Sequence, residues 1–362
     1  MPITEVRTHR FSAALHTPFI TARRATTTVD SLLVEIVDDA GHRGFGEAPA
    51  IPRVTGETIA GAEAIVQGVF APLLTGRDPD DLVVLIQETH RAVVGNPGAK
   101  AAVDVALHDL AARRLGIPLA RLLGGRPGPV RTDVTLSVGS ARELALAAAR
   151  RVSDGFDVLK VKVGTDPAGD VARVRAVRNE VGSEIGIRLD ANQGWTPREA
   201  VRVIRAIEDA GLGVELVEQP VPAHDVAGLA WVSDRVDTPI LADEAVLGAR
   251  DLVAVIQRRA ADLVNIKLAK CGGLQAARAL LELAAAHDIG VLIGSMMEGP
   301  VGIAAAASLA AAYPSPLVHD LDAAWWLAPP GPVVGGVRYD GGTLLLPQTA
   351  GLGITGLSNA ED

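Results

Sequence analysis

The amino-acid sequence predicts an α/β fold in which an eight-strand (β/α) barrel follows a separate α+β domain and precedes a short tail. Short β-rich runs alternate with alanine-rich amphipathic runs from about residue 131 onward, and charged or polar residues recur at their ends every 24–28 residues. That interval is what one strand, one helix and two loops require. Residues 1–125 lack this repeat, and the chain becomes rich in glycine and proline after Trp326. We therefore divide the chain into residues 1–125, 126–325 and 326–362.

The first 125 residues show strand patterns followed by helix patterns. The runs ITEVRTHRFSAAL and SLLVEIVDDAGHRGFGEAP favour strands, and the DDAG in the second run is typical of a hairpin turn. Three helical patterns follow, and in the last of them Ala102, Val105, Ala106 and Leu110 share one face. Strands followed by helices indicate a separate α+β domain.

The barrel strands are predicted from the apolar runs between the helices. They are Thr132–Val138, Asp157–Gly164, Gly186–Asn192, Val214–Pro220, Pro239–Glu244, Asp262–Leu268, Gly290–Ser295 and Leu317–Leu321. The tail has short strands near VRYDGG and TLLLP. Because these eight strands already complete a barrel, we expect the tail to pack back on the first domain. In such a barrel the chemistry lies at the C-terminal ends of the strands.

Composition argues against several classes of protein. The formal net charge of −9 argues against nucleic acid or an anionic membrane as the main partner. The single cysteine, Cys271, excludes an internal disulfide and fits a reducing compartment. The N-terminal MPITEVRTHRF lacks the apolar core of a signal peptide, and the alanine-rich runs are too short to span a bilayer. We therefore expect a cytoplasmic protein.

Three carboxylates stand at the ends of three consecutive predicted strands, namely Asp190, Glu218 and Asp243. Parallel neighbouring strands would bring them to one point. Converging carboxylate oxygens favour a hard cation such as Mg²⁺, which would also relieve their mutual repulsion. The alternative is that neighbouring lysines neutralise them and that no metal binds.

Two lysines are placed to act on one substrate carbon from opposite sides. Lys162 lies on the second predicted strand and Lys267 on the sixth, which are opposite each other in a ring of eight. A lysine beside a cation has its ammonium disfavoured, so its pKa falls and it can accept a proton from carbon. Lys160 has the parity of Lys162 and points the same way, whereas Lys270 lacks the parity of Lys267 and is predicted to be peripheral.

These groups suit proton abstraction next to a carboxylate. The metal and Lys160 would neutralise the second negative charge that develops on the enolate oxygens. Opposed lysines would then allow removal of the proton on one face and its return on the other. The expected outcome is racemisation or epimerisation.

The ordered segments KVKVG, DANQGW, VEQP, ADE and KLAKCGG resemble the enolase superfamily, in its muconate-lactonizing-enzyme subgroup, over nearly the whole chain. A Lys or His base with Mg²⁺ is the general pattern of that superfamily. The resemblance implies a modified TIM (β/α)7β-type barrel with an N-terminal α+β capping domain that the C-terminal tail completes. The site residues that it implies are Asp190, Glu218 and Asp243 as Mg²⁺ ligands, Lys162 and Lys267 as acid/base catalysts, Lys160 beside the substrate carboxylate, and Asn192 and Gln219 as polar groups that contact the substrate or support the residues that do, with Asn192 counted among the substrate-binding residues.

Within the subgroup, two features resemble dipeptide epimerases, in particular those acting on L-Ala-D/L-Glu. Asp320 and Asp322, at the end of the eighth predicted strand, resemble the DxD pair that grips the α-ammonium of a dipeptide. Arg24, in FITARRATTT, resembles the arginine that binds the substrate's side-chain carboxylate, with the adjacent Arg23 as the alternative. The other substrate contacts implied at the barrel mouth are Thr135, Ser295, Met297 and Glu298.

One segment departs from the subgroup pattern. Asp322 is followed by AAWWL, where smaller aliphatic residues are expected. Trp325 and Trp326 either pack the interface between the domains or reshape the pocket. The departure bears on the side-chain preference of the site more than on its reaction.

Residues and resemblance together predict a Mg²⁺-dependent dipeptide epimerase that inverts the C-terminal residue by two-base 1,1-proton transfer through an enolate. Alternatives with the same fold are a muconate cycloisomerase, an o-succinylbenzoate synthase and an N-acylamino acid racemase. Their substrates carry no free ammonium, so Asp320 and Asp322 discriminate against them. A different class is a barrel that has lost its chemistry and binds only a small cationic metabolite or a partner protein, and the complete set of bases and ligands argues against it. The resemblance also implies a homo-oligomer.

Overall fold

The structure is a computed structural model and describes residues 2–20 and 25–358. The chain begins with an antiparallel sheet in the order β1-β2-β3. Its strands are β1 (Ile3–Ile20), β2 (Ala25–Asp38) and β3 (Arg43–Pro49). The hairpin turn predicted at DDAG joins β2 to β3, with Val37 paired to Arg43.

Helices then pack on one face of this sheet. They are α1 (Ile59–Ile65), a π-helical turn (Val66–Phe70), α2 (Ala71–Leu74), α3 (Leu82–Ala92), α4 (Pro97–Arg114) and α5 (Leu119–Leu122). The central helix α4 is buried on all sides rather than on one face. Glycines make this possible, because a Cβ on Gly46 would lie 1.8 Å from the Ala102 carbonyl oxygen and one on Gly44 would lie 2.1 Å from that of Ala106.

A parallel sheet with its strands in sequence order forms the barrel. After the short β4 (Pro129–Arg131), its strands are β5 (Val134–Leu136), β6 (Val158–Lys162), β7 (Gly186–Asp190), β8 (Val214–Glu218), β9 (Ile240–Ala242), β10 (Leu263–Lys267) and β11 (Gly290–Gly294). The eighth predicted strand appears as isolated bridges, from His319 to Thr132 and from Asp320 to Gly294. These bridges connect the two edges of the sheet and close the ring.

Helices cover the outside of the barrel. They are α6 (Ala141–Ser153), α7 (Pro167–Val181), α8 (Pro197–Asp209), α9 (Val226–Ser233), α10 (Ala249–Arg258), α11 (Leu268–Cys271), α12 (Leu274–Ala285) and α13 (Pro300–Ala312), and a 3-10 turn follows at Ala323–Trp326. Capping boxes start α6 at Ser140 and α8 at Thr196, with a glutamate three residues later in each. Within residues 2–20 and 25–358, no helix combines the length and apolarity needed to cross a membrane.

The tail returns to the first domain, as predicted. Its strands are β12 (Val333–Gly335), β13 (Arg338–Asp340), β14 (Thr343–Leu345) and β15 (Ile354–Leu357). Arg113 of α4 donates to the Ile354 carbonyl at 2.6 Å, and Leu352 N donates to Asp109 of the same helix at 2.6 Å. On its way the tail adds β13 and β14 to β4, at the start of the barrel.

Buried carboxylates of the capping domain hold the N-termini of two barrel helices. Glu47 accepts hydrogen bonds from Gly299 N at 2.6 Å and Gly302 N at 3.0 Å, at the start of α13. Asp104 accepts from Leu274 N at 2.7 Å, at the start of α12. A negative charge is favourable at a helix N-terminus. Because α12 and α13 begin on the side where β10 and β11 end, these contacts fix the capping domain over the barrel mouth.

Candidate active site

The strand register brings the predicted acid and base residues together at the mouth of the barrel. Lys162 pairs with Asp190 across β6 and β7, and Asp190 pairs with Glu218 across β7 and β8. Alternate residues of a barrel strand face its interior. The carboxylates of Asp190, Glu218 and Asp243 are almost fully buried, and so are Lys162 and Lys267. A separate apolar cluster of Leu216, Leu241 and Leu292 packs on the same strands.

Each of the three carboxylates is paired with a lysine. Lys162 donates a hydrogen bond to Asp190. The ammonium of Lys267 lies 2.8 Å from Asp243 Oδ2 and 3.8 Å from Glu218 Oε1. Lys160 Nζ lies 3.5 Å from the other oxygen of Glu218. A buried charge is costly without a partner, so these pairs compensate the burial of both members.

This pairing sets the direction of the pKa shifts. Burial acts to lower the pKa of Lys267, but the carboxylates of Asp243 and Glu218 outweigh it and raise that pKa above its ordinary value. Burial, reinforced by Asp190 and Asp243, raises the pKa of Glu218 to about 8 against the opposing charge of Lys160. The pKa of Lys267 was expected to fall beside a cation. It is raised here because the charged groups nearest to it are carboxylates.

The donor set suits a hard divalent cation, although the carboxylates are not gathered around one point. Among residues 2–20 and 25–358, no three carboxylate, imidazole or thiol groups stand close enough together to hold a metal ion as they are. Next to Asp243, the half-buried Glu244 has one buried carboxylate oxygen, Oε2, with no hydrogen-bond partner among the described residues, and burial together with Asp243 and Asp190 raises the pKa of Glu244. Oxygen donors with an excess of buried negative charge fit Mg²⁺.

A cavity of about 190 Å³ opens between the barrel mouth and the capping domain. The predicted site residues that line it are Thr135, Lys160, Lys162, Asn192, Asp243, Lys267, Ser295, Met297, Asp320 and Asp322. The capping domain closes it with Phe19, Ile51, Pro52, Arg53 and Val54. The site therefore combines a charged floor from the barrel with a mostly apolar lid.

The two carboxylates predicted to bind an ammonium, Asp320 and Asp322, both line this cavity. Asp320 accepts a hydrogen bond from Lys160. Burial acts to raise the pKa of Asp320, but Lys160 and Lys267 outweigh it and lower that pKa to about 2. Asp322 accepts hydrogen bonds from Thr135 N at 2.8 Å and from the indole of Trp326 at 2.9 Å. Asp320 is therefore ionised and balanced by lysine, while Asp322 is held by neutral donors.

Some predicted site residues do not line the cavity. Asp190 and Glu218 are buried against Lys162 and Lys160 and are not among the residues that line it. Arg24, and Arg23 as its alternative, lie outside the described residues. Glu298 does not line the cavity but is buried behind its wall, where its Oε1 accepts from Met296 N at 2.7 Å. The chain turns toward α13 after Ser295, so the Glu298 side chain faces Gly302 at the start of that helix. Direct contact of Glu298 with a substrate therefore does not fit this geometry.

Lys270 was predicted to be peripheral, and that prediction is wrong. Its ammonium donates to Asp243 Oδ1 at 2.5 Å and to the Asn265 carbonyl at 3.0 Å. Strand parity ends at Lys267 because α11 begins immediately after it. One helical turn then brings Lys270 back to Asp243. The signal in the sequence is the spacing of three residues between Lys267 and Lys270, which places both on the same side of a helical turn.

Asn265 is a further residue that the sequence patterns did not single out. Its side-chain amide donates to Glu218 Oε1 at 2.9 Å and lies 3.5 Å from Asp320 Oδ2. The space for it comes from Gly294, where a Cβ would lie 2.4 Å from Asn265 Oδ1. Asn265 stands two residues before Lys267, so parity alone could have placed it inside the barrel. It connects the proposed metal site with the proposed ammonium site.

Gln219 supports the backbone around Asp243. Its side-chain oxygen accepts from Asp243 N at 2.9 Å and from Ala245 N at 3.0 Å. It is fully buried. Gln219 therefore fixes the loop that carries a carboxylate instead of lining the cavity.

Models of known protein families match both halves of the chain. Residues 3–124 match the family model for the mandelate racemase / muconate lactonizing enzyme N-terminal domain. Residues 143–359 match the family model described as enolase C-terminal domain-like.

The chain is similar to curated enzymes along its whole length. It is 43% identical over 357 residues to the L-Ala-D/L-Glu epimerase of Bacillus subtilis (strain 168), a match that covers 98% of this chain and 97% of that enzyme. It is 39% identical to the hydrophobic dipeptide epimerase of Enterococcus faecalis (strain ATCC 700802 / V583), over 98% of this chain and 100% of that enzyme.

Solved structures of these relatives have the same fold. The substrate-liganded complex of the Bacillus subtilis L-Ala-D/L-Glu epimerase superposes with a TM-score of 0.96 at 43% identity, covering 99% of this chain and 100% of the other. The dipeptide epimerase of Enterococcus faecalis V583 complexed with Mg and L-Leu-L-Tyr superposes with a TM-score of 0.94 at 39% identity, covering 98% and 99%.

Proposed function

The chain belongs to the mandelate racemase / muconate lactonizing enzyme family of the enolase superfamily, and from that membership we propose that it is a Mg²⁺-dependent dipeptide epimerase. As an isomerase, it inverts the α-carbon of the C-terminal residue of a dipeptide. One observation carries this proposal, namely that a single cavity is lined by Lys162 and Lys267, from opposite strands, and by the pair Asp320 and Asp322. The names of the Bacillus and Enterococcus relatives support it.

Asp190, Glu218 and Asp243 would hold the Mg²⁺. When bound, the cation supplies positive charge beside the substrate carboxylate, where a second negative charge develops as the α-proton leaves. Lys160 adds a fixed charge of the same sign. Burial acts to lower the pKa of Lys160, but Asp320 and Glu218 outweigh it and raise that pKa well above its ordinary value. Asp320 and Glu218 therefore favour the ammonium form of Lys160, which suits a role in stabilising negative charge.

Lys162 and Lys267 exchange the proton. They stand on β6 and β10, four strands apart around the ring, and therefore face a bound α-carbon from opposite sides. The neutral lysine takes the α-proton from carbon, and the electron pair of that bond passes into the enolate of the substrate carboxylate. The other lysine, as an ammonium, returns a proton to the opposite face. Each inversion thus exchanges the protonation states of the two lysines, and proton exchange with water restores them before the next turnover in the same direction.

Asp320 and Asp322 bind the α-ammonium of the N-terminal residue. Two buried carboxylates suit a cation. They would repel the carboxylates of a muconate, and the neutral acyl group of an N-acylamino acid would leave them without a cationic partner. Thr135, Ser295 and Met297 line the same cavity and hold the dipeptide backbone. These contacts favour a free dipeptide over the substrates of the alternative activities in the family.

The capping domain selects the side chain of the substrate's C-terminal residue. We propose L-Ala-D/L-Glu as the substrate, with Arg24 binding the glutamate carboxylate and Arg23 as the alternative. We further propose that the enzyme is cytoplasmic and works as a homo-oligomer.

A deuterium-exchange screen tests the proposed function. The protein with Mg²⁺ is incubated in D₂O with a panel of L,L-dipeptides, their N-acetylated forms and a muconate. We expect a gain of one mass unit at the C-terminal residue, greatest for Ala-Glu and absent from N-acetylated dipeptides. Exchange that prefers apolar or cationic dipeptides would keep the reaction and contradict the arginine assignment. Turnover of only the N-acylated compounds or the muconate would contradict the dipeptide assignment.

A further inference from the structure

The indole of Trp326 donates a hydrogen bond to Asp322, one of the two carboxylates proposed above to bind an ammonium. The Trp326 N–H donates to Asp322 Oδ2 at 2.9 Å, and Thr135 N donates to the same oxygen at 2.8 Å. Among the described residues, no hydrogen bond reaches Oδ1 of Asp322, and this carboxylate lines the cavity. One oxygen is therefore fixed by two donors, while the other remains available to a ligand.

The Trp326 ring is itself fixed from both domains. It is 4% exposed. His16 of β1 stacks on it with centroids 5.2 Å apart at 27°, and Phe19, which lines the cavity, meets it edge-on at 6.0 Å. From the barrel, the guanidinium of Arg151 lies 5.4 Å from the ring centroid. A ring held on several sides gives its N–H one direction, which is toward Asp322.

The neighbouring Trp325 has the same kind of packing without this hydrogen bond. Its ring meets His16 at 4.9 Å and Arg151 at 4.7 Å. Within the described part of the chain, its indole N–H donates no hydrogen bond. Both tryptophans therefore provide aromatic packing between the domains, but only Trp326 also donates a hydrogen bond to a carboxylate.

We propose that Trp326 is a positioning residue for ammonium recognition, whose indole N–H turns Asp322 so that its other oxygen faces the α-ammonium of the dipeptide. This inference rests on the proposed function, because it assumes that the cavity binds a free amine. Its physical basis is that a buried carboxylate beside Asp320 needs donors to remain ionised. Burial and Asp320 raise the pKa of Asp322, whereas the Trp326 hydrogen bond opposes that rise. Loss of the N–H would leave Asp322 less negative and less well directed.

The test compares Trp326→Phe with the matched control Trp325→Phe. Both variants keep an aromatic ring in place, but only the first removes a donor to Asp322. We expect Trp326→Phe to raise KM and the calorimetric Kd for a free dipeptide about 10-fold, as for the loss of a hydrogen bond to a charged group, with kcat within about 2-fold of wild type. Trp325→Phe should change each value less than about 2-fold, and the Kd of the N-acetylated dipeptide should not change in either variant.

Repeating the measurement in the Asp322→Asn variant distinguishes a role that acts through Asp322 from general destabilisation. If Trp326 acts through Asp322, then Trp326→Phe should have no further effect on Kd once Asp322→Asn is present. Equal effects of the two tryptophan variants, equal losses for free and N-acetylated dipeptides, or additive effects in the double variant would overturn the inference.

Failure of the proposed function gives a different result. A wild-type protein that turns over no dipeptide would refute the epimerase assignment. If calorimetry then still shows a preference for the free dipeptide that Trp326→Phe removes, the positioning role stands. If the wild type shows no such preference, the positioning role is overturned as well.

Discussion

The ammonium of Lys267 lies 2.8 Å from the carboxylate of Asp243, so a proposed base and a proposed metal ligand hold each other. Both side chains are buried, and the net effect of the surrounding carboxylates is a raised pKa for Lys267. A lysine held as an ammonium cannot take a proton from carbon. In the proposed mechanism, a cation bound by Asp243 would release Lys267 from this ion pair, so that Lys267 could take up a proton.

Removal of metal should stop proton exchange. Chelation with EDTA is expected to reduce α-proton exchange by more than about 100-fold, because the enolate loses its stabilising charge and Lys267 stays protonated. Addition of Mg²⁺ should restore it, as measured by deuterium incorporation. Asp243→Asn frees Lys267 from its partner yet removes a metal ligand, so it should remain inactive at any Mg²⁺ concentration. Activity of that variant without metal would contradict the assignment.

Asn265→Leu should weaken Mg²⁺ binding. The amide of Asn265 orients Glu218 at 2.9 Å, and loss of such a supporting contact costs about 10–100-fold in metal affinity or activity. The Mg²⁺ concentration for half-maximal exchange is the quantity to measure. Thermal unfolding of the metal-free variant is the control. A variant with normal Mg²⁺ dependence would show that Asn265 only fills space.

Glu298 should make the stability of the metal-free protein depend on pH. Burial, with Glu47 adding to it, raises the pKa of Glu298 from 4.5 to about 8. The folded state therefore binds a proton that the unfolded state releases above about pH 4.5, so the free energy of unfolding falls as pH rises from about 5 to about 8. The loss has an upper bound of roughly 5 kcal/mol.

The check is urea unfolding at pH 5 and pH 8. Glu298→Gln keeps an acceptor for Met296 N and removes the titration, so its stability should change less between the two values than that of the wild type. Other buried carboxylates titrate in both proteins, so the difference between them isolates Glu298. Parallel pH curves would show that Glu298 is ionised in the folded protein.

Asp104→Ala should loosen the capping domain. Asp104 accepts from Leu274 N at 2.7 Å and from Gln275 N at 3.2 Å, across the domain boundary. Loss of such a helix cap costs about 1–2 kcal/mol. Asp225→Ala, which removes a cap from α9 within the barrel, is the matched control. Both should lower the free energy of unfolding, but only Asp104→Ala should raise KM, because only it affects the lid.

Most of the fold and much of the site could be predicted because their signals are local. The strand-and-helix interval placed Lys162, Asp190, Glu218 and Lys267 at the ends of successive or opposed strands, and the structure buries them together. Strand parity is enough for this, since it depends only on the alternation of neighbouring residues.

The remaining features depend on contacts between distant parts of the chain. Lys270 returns to Asp243 through a helical turn that interrupts strand parity, and Glu298 turns away from the cavity with the start of α13. The last barrel strand is reduced to bridges at His319 and Asp320, which only the closed ring defines. The hydrogen bond from Trp326 depends on a ring position that both domains set.

Stereospecific exchange by the single-lysine variants tests the central claim most directly. Lys162→Ala and Lys267→Ala are incubated separately in D₂O with Mg²⁺ and with each C-terminal epimer of the preferred dipeptide. If the lysines lie on opposite faces of the substrate, each variant should lose at least about 100-fold of its epimerisation rate. Each variant should still incorporate deuterium into one of the two epimers, and the epimer labelled by one variant should be the one that the other leaves unlabelled. Epimerisation at the wild-type rate by Lys267→Ala, or exchange of the same epimer by both variants, would contradict the two-base mechanism.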